Sequence, residues 1–428
     1  MKENSQINLK QNHKASNYLS KFKKLKKRAT RKSKNLFNKV SLLTANKVIK
    51  PNITNDIDNK QIKKERNPGI DLVRLLTQFN IVVIHLLGYG DFYKYFHRYE
   101  RILRLIESFI DWHNNAFILI SGIVGYKTNR YSNLLYLWLM VVFYSAGIHK
   151  YVLTYKKEYK VNLDINQLYY PVVFQLYWYF TTYFGLYLFL PVINKGIAQL
   201  SKYELRLVVM STLGIFVLWK DYKNMKPDIF HLNNGLSIIW FLIFYLTGAY
   251  IGKYRVDYSG FKKYIYCLIC GSIFAIASFI YFKIHIREYY FRIRNKKIEI
   301  PIIFIQMFSK SLNSLLKITQ SISICLFFLK IHYNKYIAKI ICFFGPLAFS
   351  IYLIHNNKIA RDNLLRKALI NQPKNISLNS VLNLLLIKAL KICLTCLVID
   401  FFRHLLFTFL RIKNILLFIE AKMKEKFT

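Results

Sequence analysis

Acidic residues are scarce in this chain. Its 428 residues hold 21 Asp and Glu against 64 Lys and Arg, a net charge of +43. So basic a soluble protein is ordinarily a nucleic-acid binder, but 54% of these residues are hydrophobic and 17% aromatic, which argues against that class. Glycine (15) and proline (8) are too few for a disordered or fibrous chain. Cysteine is limited to six residues. Two pairs have CxxC spacing, Cys267/Cys270 and Cys393/Cys396, but both lie inside apolar runs. Thiolates that hold zinc are presented on hydrated turns, so these are expected to be inert and no metal site is expected. No apolar run of signal-peptide length lies within the basic N-terminal stretch, which is therefore not read as a secretory signal.

What is present is a separation of charge from apolarity. Residues 1–70 carry 19 Lys and Arg with four acids, Glu3, Asp56, Asp58 and Glu65. Ten of those cations fall within Lys21–Lys39. This tail, residues 1–66, is expected to be disordered, cytoplasmic and in contact with anionic lipid, rather than to bind nucleic acid. Beyond it, apolar stretches of spanning length recur between short charged loops. Ten are read: 71–90, 108–126, 132–153, 169–194, 205–219, 234–252, 263–284, 312–331, 337–355 and 379–402. The fold expected is an all-α, polytopic bundle of about ten transmembrane helices over residues 67–410. Segment 404–420 reads as an amphipathic interfacial helix, and 411–428 as a basic cytoplasmic tail. The positive-inside rule places both termini in the cytoplasm, and the expected location is the plasma membrane. The presumed external loop 285–311 is basic as well, with Arg287, Arg292, Arg294, Lys296, Lys297 and Lys310. Few acids lie on that side, which suits an anionic substrate.

Charged and polar groups at bilayer depth are costly and mark function. The first span holds Asp71, Arg74, Gln78, Asn80 and His85. Arg74 and His85 are eleven residues apart, which is about 20° from three full turns and about 16.5 Å along a helix axis. They share one face, with Gln78 on the same stripe. Arg74 there either snorkels to the cytoplasmic headgroups or holds an anion in a lined cavity, and His85 either sits at the outer interface or exchanges a proton near neutral pH. Asp71 is expected to cap the helix or pair with a loop cation. The second span carries Asp111, His113, Asn114 and Asn115 at one end, Ser121 and Gly122 farther in, and Lys127 and Arg130 beyond its other end. Gly122 suits close helix packing, and the two cations suit phosphate contacts or plain flanking charge. Trp178 in the aromatic fourth span fits an interfacial belt or a glycan-stacking surface. His355 ends the ninth segment, followed by Asn356, Asn357 and Arg361.

In these segments the chain resembles the membrane acyltransferase family 3, the polytopic O-acetyltransferases of bacterial surface polysaccharides. NPGIDLVRLLTQFNIVVIH is similar to the family's first helix, with its Arg-x10-His pair at Arg74 and His85. NAFILISGIVGYK resembles its Phe-x-x-x-Ser-Gly segment. YWYFTTYFGLYLFLPVIN, WFLIFYLTGAYIGKY and PLAFSIYLIHNNKIAR resemble later stretches, in order. Two positions depart from the pattern: Tyr89 stands where a second histidine is frequent, and Asn356 where an acid is common after YLIH.

The resemblance implies transfer of an acyl group, usually acetyl, from cytoplasmic acyl-CoA to a sugar hydroxyl on a lipid-linked or exported glycan. No permanently bound cofactor is implied, and acetyl-CoA is the donor substrate. Arg74, Lys127 and Arg130 would meet the CoA phosphates, and His85 would act as base or nucleophile. Ser121, Gly122, Asn115, Trp178 and His355 would line the donor and acceptor sites. No clear acid orients His85, and Asp111 is the residue taken for that task. The rival readings are a transporter or flippase of an anionic glycolipid, and a structural membrane protein tethered by its basic tail.

Overall fold

The computed structural model describes residues 66–128, 130–155, 169–219, 230–255, 259–293, 311–365, 368–369, 372–373 and 375–427. The basic tail 1–65 and most of the loop 285–311 lie outside them. The described residues from Arg66 onward belong to one compact unit.

Its helices are α1 Pro68–Gly88, α2 Glu100–Ile110, α3 His113–Gly125, α4 Tyr131–Tyr155 and α5 Trp178–Gln199. There follow α6 Lys202–Leu213, α7 Ile238–Lys253, α8 Gly260–Ile293 and α9 Leu315–Lys330. The last are α10 Lys335–Phe344, α11 Ala348–His355, α12 Leu378–Phe409 and α13 Ile412–Phe427. No strand occurs among the described residues, so the fold is all-α.

Each of the ten apolar segments contains helix, although residues 171–177 of the fourth are turn and its helix starts at Trp178. Five helices are long and apolar enough to cross a membrane: Pro68–Gly88, Tyr131–Tyr155, Gly260–Arg287, the joined pair Lys335–His355, and Leu378–Phe409. Ile238–Lys253 is apolar but shorter. Exposure has the pattern of a protein solvated by lipid. Leu386, Leu390, Leu394 and Phe402 on α12 are exposed, whereas Asp400 and Arg403 on the same helix are buried. This is a membrane protein.

Helix starts follow local capping chemistry. The Asn67 side chain accepts from the Gly69 N–H at 2.9 Å and Pro68 takes the first helical position, so Asn67, not Asp71, caps α1. Ser201 and Glu204 close a capping box on α6. The expected amphipathic segment 404–420 divides. Residues 404–409 complete α12, the chain turns at Arg411 (φ 54°), and α13 begins at Ile412. α13 is docked rather than trailing. It packs on α4, where the Glu420 carboxylate accepts from the N–H groups of Tyr131 (3.2 Å) and Ser132 (3.1 Å).

α1 is the centre of the unit and packs against α2, α3, α9, α10, α11 and α12. α3 crosses α7 closely. A Cβ at Gly122 would lie 2.1 Å from the Tyr245 carbonyl oxygen, and one at Gly248 would lie 2.2 Å from that of Leu119. α4 is tied to α12 by a buried polar knot. Arg403 donates to both carboxylate oxygens of Asp400 (2.7 and 2.9 Å) and to the Tyr136 hydroxyl (2.8 Å), and the Tyr144 hydroxyl donates to Asp400 (2.5 Å).

Candidate active site

α1 carries both ends of the site. α10 and α11 run alongside it in the same direction: Gly345 lies against Asp71, and His355 against His85.

At the first end Asp71 is fully buried and holds two guanidinium groups. Arg66 engages it through both Nε and Nη2, the latter at 2.9 Å. Arg74 donates from Nη1 at 2.7 Å. Asp71 thus pairs with the cation just before α1 and with Arg74 one turn on. The pair-plus-one carries a net positive charge and fixes Arg74 in place. The Tyr183 hydroxyl of α5 lies against Ser121 and near Arg74, and Ser121 itself donates to the Phe117 carbonyl at 3.0 Å. Lys127 and Arg130 are exposed just past the end of α3. Lys127 lies over the Tyr126 ring (5.4 Å), and the Arg130 carbonyl accepts from the Tyr187 hydroxyl (3.0 Å).

At the other end two imidazoles meet. His85 Nδ1 is 3.0 Å from His355 Nε2. His355 is fully buried, and its Nδ1 faces the Ile351 carbonyl oxygen. A carbonyl oxygen only accepts, so His355 Nδ1 carries the hydrogen. In the neutral ring its Nε2 is then an acceptor, and His85 Nδ1 donates to it. The His85 Nε2 lone pair is left for chemistry. Tyr89 stands edge-on to His85 (ring centroids 5.1 Å), and the Arg361 guanidinium stacks over Tyr89 at 4.7 Å. Arg361 Nε is buried with no hydrogen-bond partner among the described residues.

Between the ends, Gln78 Oε1 and the Tyr179 hydroxyl are buried without a hydrogen-bond partner among the described residues. Gln78 is four residues from Arg74 towards His85, and Tyr179 is four from Tyr183 in the antiparallel α5. Both are therefore about 6 Å deeper than the Arg74 level. Tyr179, Tyr183 and Tyr187 recur every four residues on one face of α5. The spacing of that tyrosine face is legible in the sequence, whereas its place beside Ser121 and Arg74 is not.

The remaining candidates have packing tasks. Asn115 donates to the Leu312 carbonyl (2.5 Å) and accepts from the Trp240 indole (3.1 Å), joining α3, α7 and the start of α9. Gly122 sits at the α3–α7 crossing. Trp178, half-buried at the start of α5, packs edge-on to Tyr179 and Phe241 (5.4 and 6.4 Å). Asp111 does not orient His85. Its carboxylate is taken by Lys317 (2.6 Å) and the Tyr281 hydroxyl (2.9 Å). His355 does that work instead. The cysteines are free thiols, and no cluster of metal-ligating side chains occurs among the described residues.

The sequence model of the family-3 acyltransferase domain matches residues 67–400. The chain belongs to this family. It is an acyltransferase, and the matched region spans the helices that carry Arg74, His85 and His355. No curated protein and no solved structure matches it.

Proposed function

We propose that this acyltransferase moves an acyl group, acetyl in the simplest case, from cytoplasmic acyl-CoA to a hydroxyl of an exported or lipid-linked polysaccharide. The observation that carries this reading is the His85–His355 pair, with its free Nε2, on the same helix as the Arg74 cluster. About 16.5 Å of axis separates them. A CoA donor has that form: phosphates at one end, a thioester at the other, and a flexible amide-bearing arm between. Arg74 binds phosphate with the N–H groups that Asp71 leaves free, and Lys127 and Arg130 add charge at the mouth. Gln78 Oε1 and the Tyr179 hydroxyl supply partners for the arm's amides.

In the transfer step, the sugar hydroxyl gives its proton to His85 Nε2, and its oxygen attacks the thioester carbonyl carbon. The tetrahedral intermediate collapses with cleavage of the C–S bond. The CoA sulfur leaves and takes the proton from the imidazolium. His355 accepts from His85 Nδ1 throughout, so the base keeps one orientation. Ser121 and Tyr183 lie on the donor's path, and Trp178 offers a face for a sugar. The phosphate end is cytoplasmic in this scheme, with both termini on that side of the plasma membrane and residues 1–66 on anionic lipid. Neither nucleic acid nor a resident cofactor has a part in it.

Mass analysis of the surface glycan from cells with and without the protein tests the reading. The expected difference is one acyl group per modified repeat, with the glycan otherwise unchanged. Loss of the glycan itself, without a change of mass per repeat, would favour a transporter.

A further inference from the structure

The chain leaves α1 by a turn in which the Gly90 N–H donates to the His85 carbonyl at 3.0 Å, and Asp91 adopts φ 57°. The segment that follows, Phe92–Tyr99, has two sides. Phe92 and Phe96 are buried in the core, whereas Lys94, His97 and Arg98 are exposed. Two phenols staple it to the stretch before α12. The Tyr95 hydroxyl donates to the Gln372 carbonyl, and the Tyr99 hydroxyl donates to that of Ile376 at 3.0 Å. Between these strips lies a cleft of about 660 Å³, within the size range of ligand sites. Its walls are Lys94, Tyr95, His97, Arg98, Tyr99 and Asn375, with Asp91 as the one carboxylate among its lining residues. The Arg98 guanidinium lies over the Tyr99 ring at 5.7 Å.

Nothing in the acyl-transfer step uses this cleft. Its chemistry is that of an acidic oligosaccharide site. Two cations face one carboxylate, two half-buried tyrosines form part of the wall, and an amide suits hydroxyl groups. It opens at the end of the helix that presents His85. We propose that it docks an acceptor glycan bearing carboxylate or phosphate groups and holds the chain while a nearby hydroxyl reaches His85. The acceptor role rests on the acyl-transfer reading, whereas the binding itself does not.

The test uses the full-length protein in detergent and three fluorescent oligomers of matched length: oligogalacturonate, glycerol-phosphate oligomer and neutral maltodextrin. Binding is read by anisotropy, without acyl-CoA. At least one acidic oligomer should bind roughly tenfold more tightly than maltodextrin, and the Lys94→Gln/Arg98→Gln variant should lose roughly that factor. Which acidic oligomer binds more tightly identifies the anionic group. The variant should also keep the wild-type size-exclusion profile and unfolding temperature in detergent, which shows that it is folded. Equal binding of maltodextrin, no binding of any oligomer, or unchanged binding by the variant overturns the proposal. So does a Lys94- and Arg98-dependent affinity for phosphatidylglycerol nanodiscs in place of the oligomers, since the cleft would then be a lipid site. Oligomer binding by a wild-type protein that never cleaves acyl-CoA would instead sink the acyl-CoA reading and leave the glycan site standing.

Discussion

Ile351 offers His355 a carbonyl oxygen, and that acceptor decides which nitrogen of each imidazole carries hydrogen. Removing the relay should leave His85 in place but free to rotate and to change tautomer. His355→Ala should lower kcat about 100-fold or more with little change in the KM for acyl-CoA. His355→Gln, whose side-chain carbonyl restores an acceptor, should recover part of the loss. Steady-state kinetics of both variants checks this, and a change confined to KM would contradict it. Asp71 is the second residue with a sharp expectation, because it pairs with two guanidinium groups from a fully buried position. Asp71→Ala should cost about 3–5 kcal/mol, read as a lower unfolding temperature in detergent, and should weaken the donor's binding by releasing Arg74. Arg74, Gln78 and His85 were legible as one stripe because helix periodicity is local. The partner of His85 was not, because 270 residues separate it from His355 in the chain. Asp111 looked available for the same reason: its partners Lys317 and Tyr281 lie on distant helices.

Helix locations are legible because runs of apolar residues must bury or meet lipid, and each of the ten runs contains helix. How helices approach was only partly legible. Gly122 suggested close packing, but its partner Gly248 on α7 came only with the fold. Gly122→Leu should separate α3 from α7, cost about 1–3 kcal/mol or more, and reduce the yield of folded protein in size-exclusion profiles. The basic charges of α13 suggest an interface and tail, whereas the decisive residue is an acid, Glu420. Burial raises the Glu420 carboxyl, but the Ser132 contacts and Lys424 outweigh it and hold the group below its ordinary range. A carboxyl depressed in the folded state stabilises above its unfolded pKa and loses that contribution as pH falls through the folded value. α13 should therefore stay docked at neutral pH and loosen only in acid, below the ordinary carboxyl range. Glu420→Gln should loosen it at neutral pH. Limited proteolysis of the last helix against pH reads both, and equal protection of the variant and the wild type would contradict the capping role.

At the scale of the molecule, the excess of cations and the excess of apolar residues describe one arrangement. Apolar side chains cover the outside of helices such as α12, polar knots such as Asp400–Arg403 hold the inside, and the basic residues cluster in the tail and at helix ends. Within that frame α1 spans the distance from an arginine–aspartate cluster to a pair of histidines, the separation that the proposed CoA donor would bridge. The most direct test is His85→Ala in membranes supplied with labelled acetyl-CoA, beside the wild type at equal expression. The wild type should pass label to glycan and the variant should fall to background. Normal labelling by the variant would contradict the central claim that His85 is the base of the transfer.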